Sequence, residues 1–97
     1  MNILVIEDDA TTAAYIARGL REEGHVVDLA HDGCEGLKMA TDGMYDVLIV
    51  DRMLPHMEGL ALVKTLRGTE NTTPVLFLTA MGSVEDRIGG LNAGGDD

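Results

Sequence analysis

Basic side chains are scarce in this chain of 97 residues. Seven lysines and arginines stand against seventeen acids, which gives a formal net charge of -10. Contacts to nucleic-acid phosphates require clustered lysine and arginine, so this charge argues against direct nucleic-acid binding by this segment. The charge is compatible instead with a divalent cation or a basic protein surface as partner.

Cysteine and long apolar runs are also scarce. The single cysteine, Cys34, cannot form an internal disulfide, so we expect a cytoplasmic protein with Cys34 partly buried in a helix. The longest apolar run is far shorter than the roughly 20 residues of a membrane span, so we expect no membrane partner. Met1 leads directly into a predicted strand, which indicates neither a signal peptide nor a transit peptide.

Three short apolar runs each stop on residues suited to binding metal or phosphate. Four consecutive apolar residues with many β-branches are typical of parallel strands buried on both faces. Ligands of such sheets bind outside the carboxyl ends of the strands. If the three strands are neighbours, three carboxylates and one hydroxyl meet at one edge. The runs and the residues that follow them are 3–6 with Glu7-Asp8-Asp9, 47–50 with Asp51, and 75–78 with Thr79-Ala80.

Strand and helix patterns alternate along the whole chain. This order predicts one α/β domain with a doubly wound parallel sheet and helices on both faces. Asp9 is a plausible N-cap of the first helix, and Gly24 is a plausible stop. The other predicted elements are a strand at 26–30, helices at 33–41, 58–67 and 84–92, and a loop after Asp51 that contains Pro55.

The acids at the strand ends suit a magnesium ion. Mg²⁺ prefers octahedral oxygen coordination with one or two carboxylates and several waters. Asp8 and Asp51 would supply the carboxylates, the carbonyl of Met53 would supply a third oxygen, and Glu7 would contact the ion through water. A lone Asp after a strand is most often a cap or turn former. A capping role explains Asp9, but it does not explain Asp51, because Asp51 precedes a long loop and not a helix.

An aspartate beside Mg²⁺ can act as a nucleophile toward a phosphoryl group. Catalysis would then consist of positioning and charge neutralisation. Thr79 is placed to donate a hydrogen bond to a phosphoryl oxygen, and the small side chain of Ala80 leaves room for that group. The pattern of strand ends therefore predicts an acidic ion-binding site, and such a site is compatible with phosphoryl chemistry.

At these residues the sequence resembles receiver domains of two-component response regulators. The segments that carry the resemblance are Ile3-Leu4-Val5-Ile6-Glu7-Asp8-Asp9, Val50-Asp51-Arg52-Met53-Leu54-Pro55 with Gly59, and Leu78-Thr79-Ala80. The Met-Leu-Pro after Asp51 and the segment Ala93-Gly94-Gly95-Asp96-Asp97 resemble the OmpR-like subclass. Members of that subclass carry a winged-helix DNA-binding domain downstream, so we expect such a domain in the parent protein.

The resemblance implies a fold and a role for each site residue. The fold is flavodoxin-like (CheY-like), with strand order 2-1-3-4-5. Asp51 is the phospho-acceptor from a sensor kinase histidine, and the Mg²⁺ ligands are Asp8, Asp51 and the Met53 carbonyl, with Glu7 in the outer shell. Thr79, next to Ala80, is the switch hydroxyl. The resemblance implies that the domain is not an enzyme and catalyses only its own phosphorylation and dephosphorylation. It also implies that the phosphorylated receiver switches a transcriptional output domain.

The family pattern continues beyond what this sequence contains. A fifth strand, an aromatic switch residue, a Lys-Pro pair and a fifth helix would follow Asp97. The only lysines are Lys38 and Lys64, on the second and third predicted helices, so this chain has no active-site lysine. We therefore expect a receiver domain truncated before its last strand and helix. The fourth strand, 75–78, would then form an apolar edge, so we expect a homodimer or edge-strand association.

Two other functions remain open from the sequence. A small Mg²⁺-dependent aspartyl phosphatase or phosphotransferase would use the same acids, but such enzymes usually have a second acid two residues after the nucleophile, where this chain has Met53. A flavin or nucleotide carrier would need a phosphate-binding loop rich in Gly, Ser or Thr after the first strand. This chain has Glu7-Asp8-Asp9 there, which would repel phosphate in the absence of a cation.

Overall fold

The structure, a computed structural model, describes residues 1–54 and 58–78 of the chain. Strands and helices alternate over this range, as the sequence predicts. The predicted helix at 84–92 lies outside the described residues. The elements are β1 Asn2–Ile6, α1 Ala10–Glu22, β2 Val26–Ala30, α2 Gly33–Asp42, β3 Val47–Asp51, α3 Gly59–Gly68 and β4 Val75–Leu78.

The four strands form one parallel sheet in the order β2-β1-β3-β4. This confirms the 2-1-3-4 part of the predicted strand order. After β2 the chain crosses to the other side of β1, so the strand order reverses between β1 and β3. In an open α/β sheet a crevice opens at such a point, outside the carboxyl ends of the strands. The register pairs Ile6 with Val50, which places Glu7 and Asp51 side by side beyond the last paired residues.

The sheet buries its two faces in two separate apolar clusters. On one face, side chains of β1 and β3 such as Leu4 and Leu48 pack with residues of α2 and α3. On the other face, Ile3, Val5 and Ile49 pack with Ala17 of α1. The alternation of side chains along each strand produces this division, since successive residues point to opposite faces.

Side-chain caps fix where two of the helices begin. Asp9 accepts a hydrogen bond from the backbone N–H of Thr12 (3.3 Å) and another from the Thr12 hydroxyl, which confirms the predicted N-cap of α1. Asp32 accepts from the N–H of Glu35 (2.7 Å) and caps α2 in the same way. Such caps satisfy backbone donors that the helix leaves unpaired.

Two further features concern the surface. The expectation that Cys34 is partly buried was wrong, because the residue is exposed in the first turn of α2. That face of the helix points away from the sheet, while Gly33 and Gly36 lie on the buried side. Among residues 1–54 and 58–78, no helix is long and apolar enough to cross a membrane.

Candidate metal and phosphoryl-transfer site

Three acids from two neighbouring strands meet at the carboxyl edge of the sheet. Each of Glu7, Asp8 and Asp51 has a carboxylate oxygen within 4.8 Å of the corresponding oxygens of the other two. Their environments differ, because Glu7 is only 6% exposed while Asp8 is exposed and Asp51 is half-buried. The structure thus brings together the acids that the sequence analysis selected from strand ends.

The backbone of the sheet fixes the positions of these acids. The N–H of Glu7 donates to the carbonyl of Ala30 (3.0 Å), so the chain stays hydrogen-bonded to the β2 side one residue beyond β1. Asp51 is the last residue of β3 and is paired with Leu78 of β4. Both acids are therefore held by strands that are themselves buried, which gives the site a rigid base.

Met53 contributes to the site through its backbone. Its N–H donates to Oδ1 of Asp51 (3.0 Å), which fixes the plane of that carboxylate. Its side chain is 73% exposed and borders the opening of the site. The cavity has a volume of about 410 Å³ and is lined by Glu7, Asp8, Asp9, Thr12, Ile16, Asp51, Met53 and Leu78.

Crowding of the acids shifts the titration of Glu7. Burial, which is the largest cause, together with hydrogen bonds to Asp51 and Asp8 and the negative charge of Asp51, raises the pKa of Glu7 from 4.5 to about 8. The backbone N–H of Asp9, 3.2 Å from Oε2 of Glu7, opposes the shift. A proton therefore compensates part of the charge of the cluster near neutral pH, and a divalent cation would replace that proton.

Asp9 has a separate role from the other acids. Hydrogen bonds from the Thr12 hydroxyl and backbone lower the pKa of Asp9 and keep its carboxylate on the helix terminus. The carboxylate is therefore occupied in capping α1. Asp9 is therefore a helix cap, as its position after β1 predicts, and Glu7 and Asp8 remain available for a metal.

The donor set suits Mg²⁺ better than a softer metal. All three side chains offer carboxylate oxygen, and the site is open to solvent on the side of Asp8, so water can complete an octahedron. The buried carboxyl of Glu7 supports the same assignment, because no cationic side chain from residues 1–54 or 58–78 lines the cavity beside it. In the described ranges no lysine lines this cavity, and Lys38 borders a different one beside Tyr45. Thr79 and Ala80 lie outside the described residues.

The strand order β2-β1-β3-β4 and the acids at the carboxyl edge of the sheet indicate the class of protein. The chain matches the family "Response regulator receiver domain" over residues 3–97. It therefore belongs to the receiver-domain family of response regulators, as the sequence resemblance indicated.

Individual relatives include a transcriptional regulatory protein and a response regulator. The chain is 44% identical over 97 residues to the transcriptional regulatory protein CusR of Escherichia coli, covering 100% of this chain and 43% of the relative. It is 43% identical over 97 residues to the response regulator MprA of Mycobacterium tuberculosis, of which it covers 42%. The chain thus spans less than half the length of these curated relatives. They agree with the OmpR-like resemblance found in the sequence.

Solved structures agree with the fold. The receiver domain of Francisella response regulator 1452 superposes with a TM-score of 0.88 at 38% identity, covering 99% of this chain and 79% of that chain. The response regulator TrrA of Thermotoga maritima, solved in complex with Mg(2+)-BeF, gives a TM-score of 0.82 at 30% identity, covering 95% of this chain and 79% of that one. The CheY-like fold expected from the sequence is confirmed.

The two alternative functions are not favoured by the site. The position two residues after Asp51 carries the exposed apolar side chain of Met53, so a phosphatase of the expected type lacks its second acid there. The loop after β1 presents Glu7 and Asp8 to the cavity, which disfavours a flavin or nucleotide phosphate. The family match points away from both alternatives.

Proposed function

We propose that Asp51 accepts a phosphoryl group from a phosphohistidine of a sensor kinase. A carboxylate oxygen of Asp51 attacks phosphorus, the P–N bond to the imidazole breaks, and the imidazole takes up a proton. The observation that carries this proposal is the convergence of Glu7, Asp8 and Asp51 within 4.8 Å at the carboxyl edge of the sheet. Of these acids, Asp51 combines partial exposure with a carboxylate oriented by the Met53 N–H.

The proposal assigns Mg²⁺ to the same acids. Asp8, Asp51 and the carbonyl of Met53 would hold the ion, and Glu7 would contact it through water. Bound there, Mg²⁺ would neutralise charge on the phosphoryl oxygens as the group is transferred. The Mg(2+)-BeF complex of TrrA supports this assignment by similarity. In this proposal the hydroxyl of Thr79 contacts the phosphoryl group, and the small side chain of Ala80 leaves room for that group.

The output of the protein is proposed from its relatives. CusR is a transcriptional regulatory protein of which this chain corresponds to 43%, which supports a DNA-binding domain elsewhere in the parent protein. Phosphorylation of Asp51 would shift that domain between two states, and turnover would be limited to the receiver's own phosphorylation and dephosphorylation. A cytoplasmic location, expected from the single cysteine, belongs to the same proposal.

The proposal also includes association along β4. Within the part of the chain that the structure describes, β4 pairs with β3 alone. Leu76 of β4 is 48% exposed, and the strand contains neither a charge nor a proline that would block a further strand. An apolar edge strand that no further strand of its own chain covers favours pairing with another chain. The proposed occupant is a second copy of this protein.

Incubation with acetyl phosphate tests the assignment of Asp51. The protein should gain one phosphoryl group in the presence of Mg²⁺, and EDTA should prevent the gain. Intact-mass analysis after brief incubation measures the product, and peptide mapping locates it. Asp51→Asn should abolish phosphorylation, whereas Asp42→Asn, at an exposed carboxylate at the end of α2, should not change it. Phosphate that persists in Asp51→Asn, or that maps to a Ser, Thr or His, would contradict the proposal.

A further inference from the structure

The geometry points to Gly59 as a positioning residue for the Asp51 site. Gly59 is the first residue of α3, and it acts through the backbone of Asp51 and Arg52 rather than through any contact with substrate. The inference rests on the proposed function, since it concerns the site where that function would occur. The inference goes beyond that function by stating that the start of α3 determines the positions of Asp51 and Met53 in the site.

The contact between Gly59 and the end of β3 leaves no room for a side chain. A Cβ atom built on Gly59 would lie 2.8 Å from the Cα of Arg52 and closer still to the carbonyl oxygen of Asp51. Both neighbours are backbone atoms, so they cannot move aside by changing a rotamer. Any larger residue at this position must displace either the start of α3 or the residues that carry the site.

Hydrogen bonds hold the same backbone from two sides. The N–H of Gly59 donates to the carbonyl of Arg52 (3.0 Å), and the N–H of Arg52 donates to the carbonyl of Leu78 in β4 (3.2 Å). Arg52 is therefore fixed between α3 and β4. The next residue, Met53, donates its N–H to Oδ1 of Asp51 (3.0 Å). A displacement at Gly59 is thus passed to the carboxylate of Asp51 within two residues.

Among the described residues, the start of α3 has no side-chain cap. Its N-cap residue, Glu58, makes no side-chain capping hydrogen bond, unlike the caps of α1 and α2. The bond from Gly59 to the Arg52 carbonyl is therefore an anchor of the helix as well as of the site. Because coupling between two sites is reciprocal, an ion bound at Asp51 should in turn stabilise the start of α3.

Two other glycines provide matched controls. A Cβ on Gly36 of α2 would also clash, at 2.6 Å, but with the Ile6 side chain and not with the backbone of the site. A Cβ on Gly68, at the end of α3, would meet nothing within 4 Å. Gly36→Ala therefore measures the effect of a steric clash away from the backbone of the site. Gly68→Ala measures the effect of an added methyl group that causes no clash.

The experiment compares Gly59→Ala, Gly36→Ala and Gly68→Ala in the full chain. Mg²⁺ titration followed by NMR measures affinity, and hydrogen exchange measures the protection of the Met53 amide. Gly59→Ala should weaken Mg²⁺ binding about 10-fold or more, as is typical when support for a metal ligand is lost, and should expose the Met53 amide. Gly68→Ala should match the unaltered protein, and Gly36→Ala should keep its Mg²⁺ affinity even if its stability falls. Affinity within 2-fold in Gly59→Ala, or an equal loss in Gly36→Ala, would overturn the inference.

The unaltered protein supplies a second measurement that does not depend on the folding of a variant. Added Mg²⁺ should slow exchange of the Gly59 amide more than that of the Glu35 amide, which is bound to the Asp32 cap of α2. An equal change at both amides would overturn the coupling. If the unaltered protein neither binds Mg²⁺ nor is phosphorylated, the proposed function fails. The exchange of the Met53 amide in Gly59→Ala then still decides whether Gly59 positions the loop.

Discussion

Replacing Glu7 by glutamine should make the protein more stable at alkaline pH in the absence of metal. The carboxyl of Glu7 is 6% exposed and lies against Asp51 and Asp8, and burial, followed by the hydrogen bond to Asp51, raises its pKa to about 8. Glutamine has the same shape and stays neutral at every pH. It therefore mimics the protonated carboxyl without being able to ionise.

The sign of the effect follows from the direction of the pKa shift. The pKa of Glu7 is higher in the folded state than its ordinary value of 4.5, so folding favours the protonated form. The contribution to stability is complete below pH 4.5 and is lost as the pH rises through about 8. One pKa unit corresponds to about 1.4 kcal/mol, so the loss is at most about 5 kcal/mol of unfolding free energy. Small domains have about 5–15 kcal/mol in total, so the loss should be readily measured.

Urea denaturation at pH 5, 6.5 and 8.5 with EDTA measures the effect. The chain has no tryptophan, so circular dichroism is the appropriate signal. The difference in unfolding free energy between Glu7→Gln and the unaltered protein should grow with pH, and taking this difference cancels the titration of groups elsewhere. Mg²⁺ should stabilise the unaltered protein most at pH 8.5, where the ion no longer competes with a proton. A difference that stays constant between pH 5 and 8.5 would refute the reasoning.

Three further predictions concern the metal, the β2 edge and the β4 edge. Mg²⁺ titration followed by NMR should show weaker binding in Asp8→Ala and unchanged binding in Asp42→Ala, and equal affinity in both would remove Asp8 from the site. Burial, with the hydrogen bond to Asp28 (2.7 Å), raises the pKa of Tyr45 to about 12. With the other tyrosine replaced by phenylalanine, absorbance titration should show this pKa, and Asp28→Asn should return it only part of the way to 10, because burial is the larger cause. Leu76→Lys should reduce association in light scattering, since a charge on an edge strand opposes pairing. A monomer at high concentration before the substitution would contradict the association itself.

The sheet and the acids of the site could be predicted from local patterns. Runs of apolar residues predict β1, β3 and β4, because a strand in the interior of a parallel sheet needs no polar alternation. The acids that follow 3–6 and 47–50 meet because the carboxyl ends of parallel strands lie at one edge. The N-cap at Asp9 was predictable for the same kind of reason, since the cap bond spans only three residues.

Close approaches between distant segments could not be predicted in the same way. Gly59 belongs to a family-like motif, but only the packing of α3 shows that it touches the backbone of Asp51. The deep burial of Glu7 also depends on the packed structure, because the sequence places it simply among three consecutive acids. The exposure of Cys34 could not be predicted, because it depends on which face of α2 packs on the sheet, and Gly36 lies on that face against Ile6.

The central position of β1 has a consequence for the synthesis of the chain. β1 precedes the other three described strands along the chain, and its two neighbours in the sheet are the next two strands, β2 and β3. β4 then adds outside β3. Among these four strands, none has to insert between two that are already paired, so this part of the sheet can widen outward as translation proceeds. Glu7 and Asp8 are therefore synthesised before Asp51, and the three acids can meet only after β3 has been made.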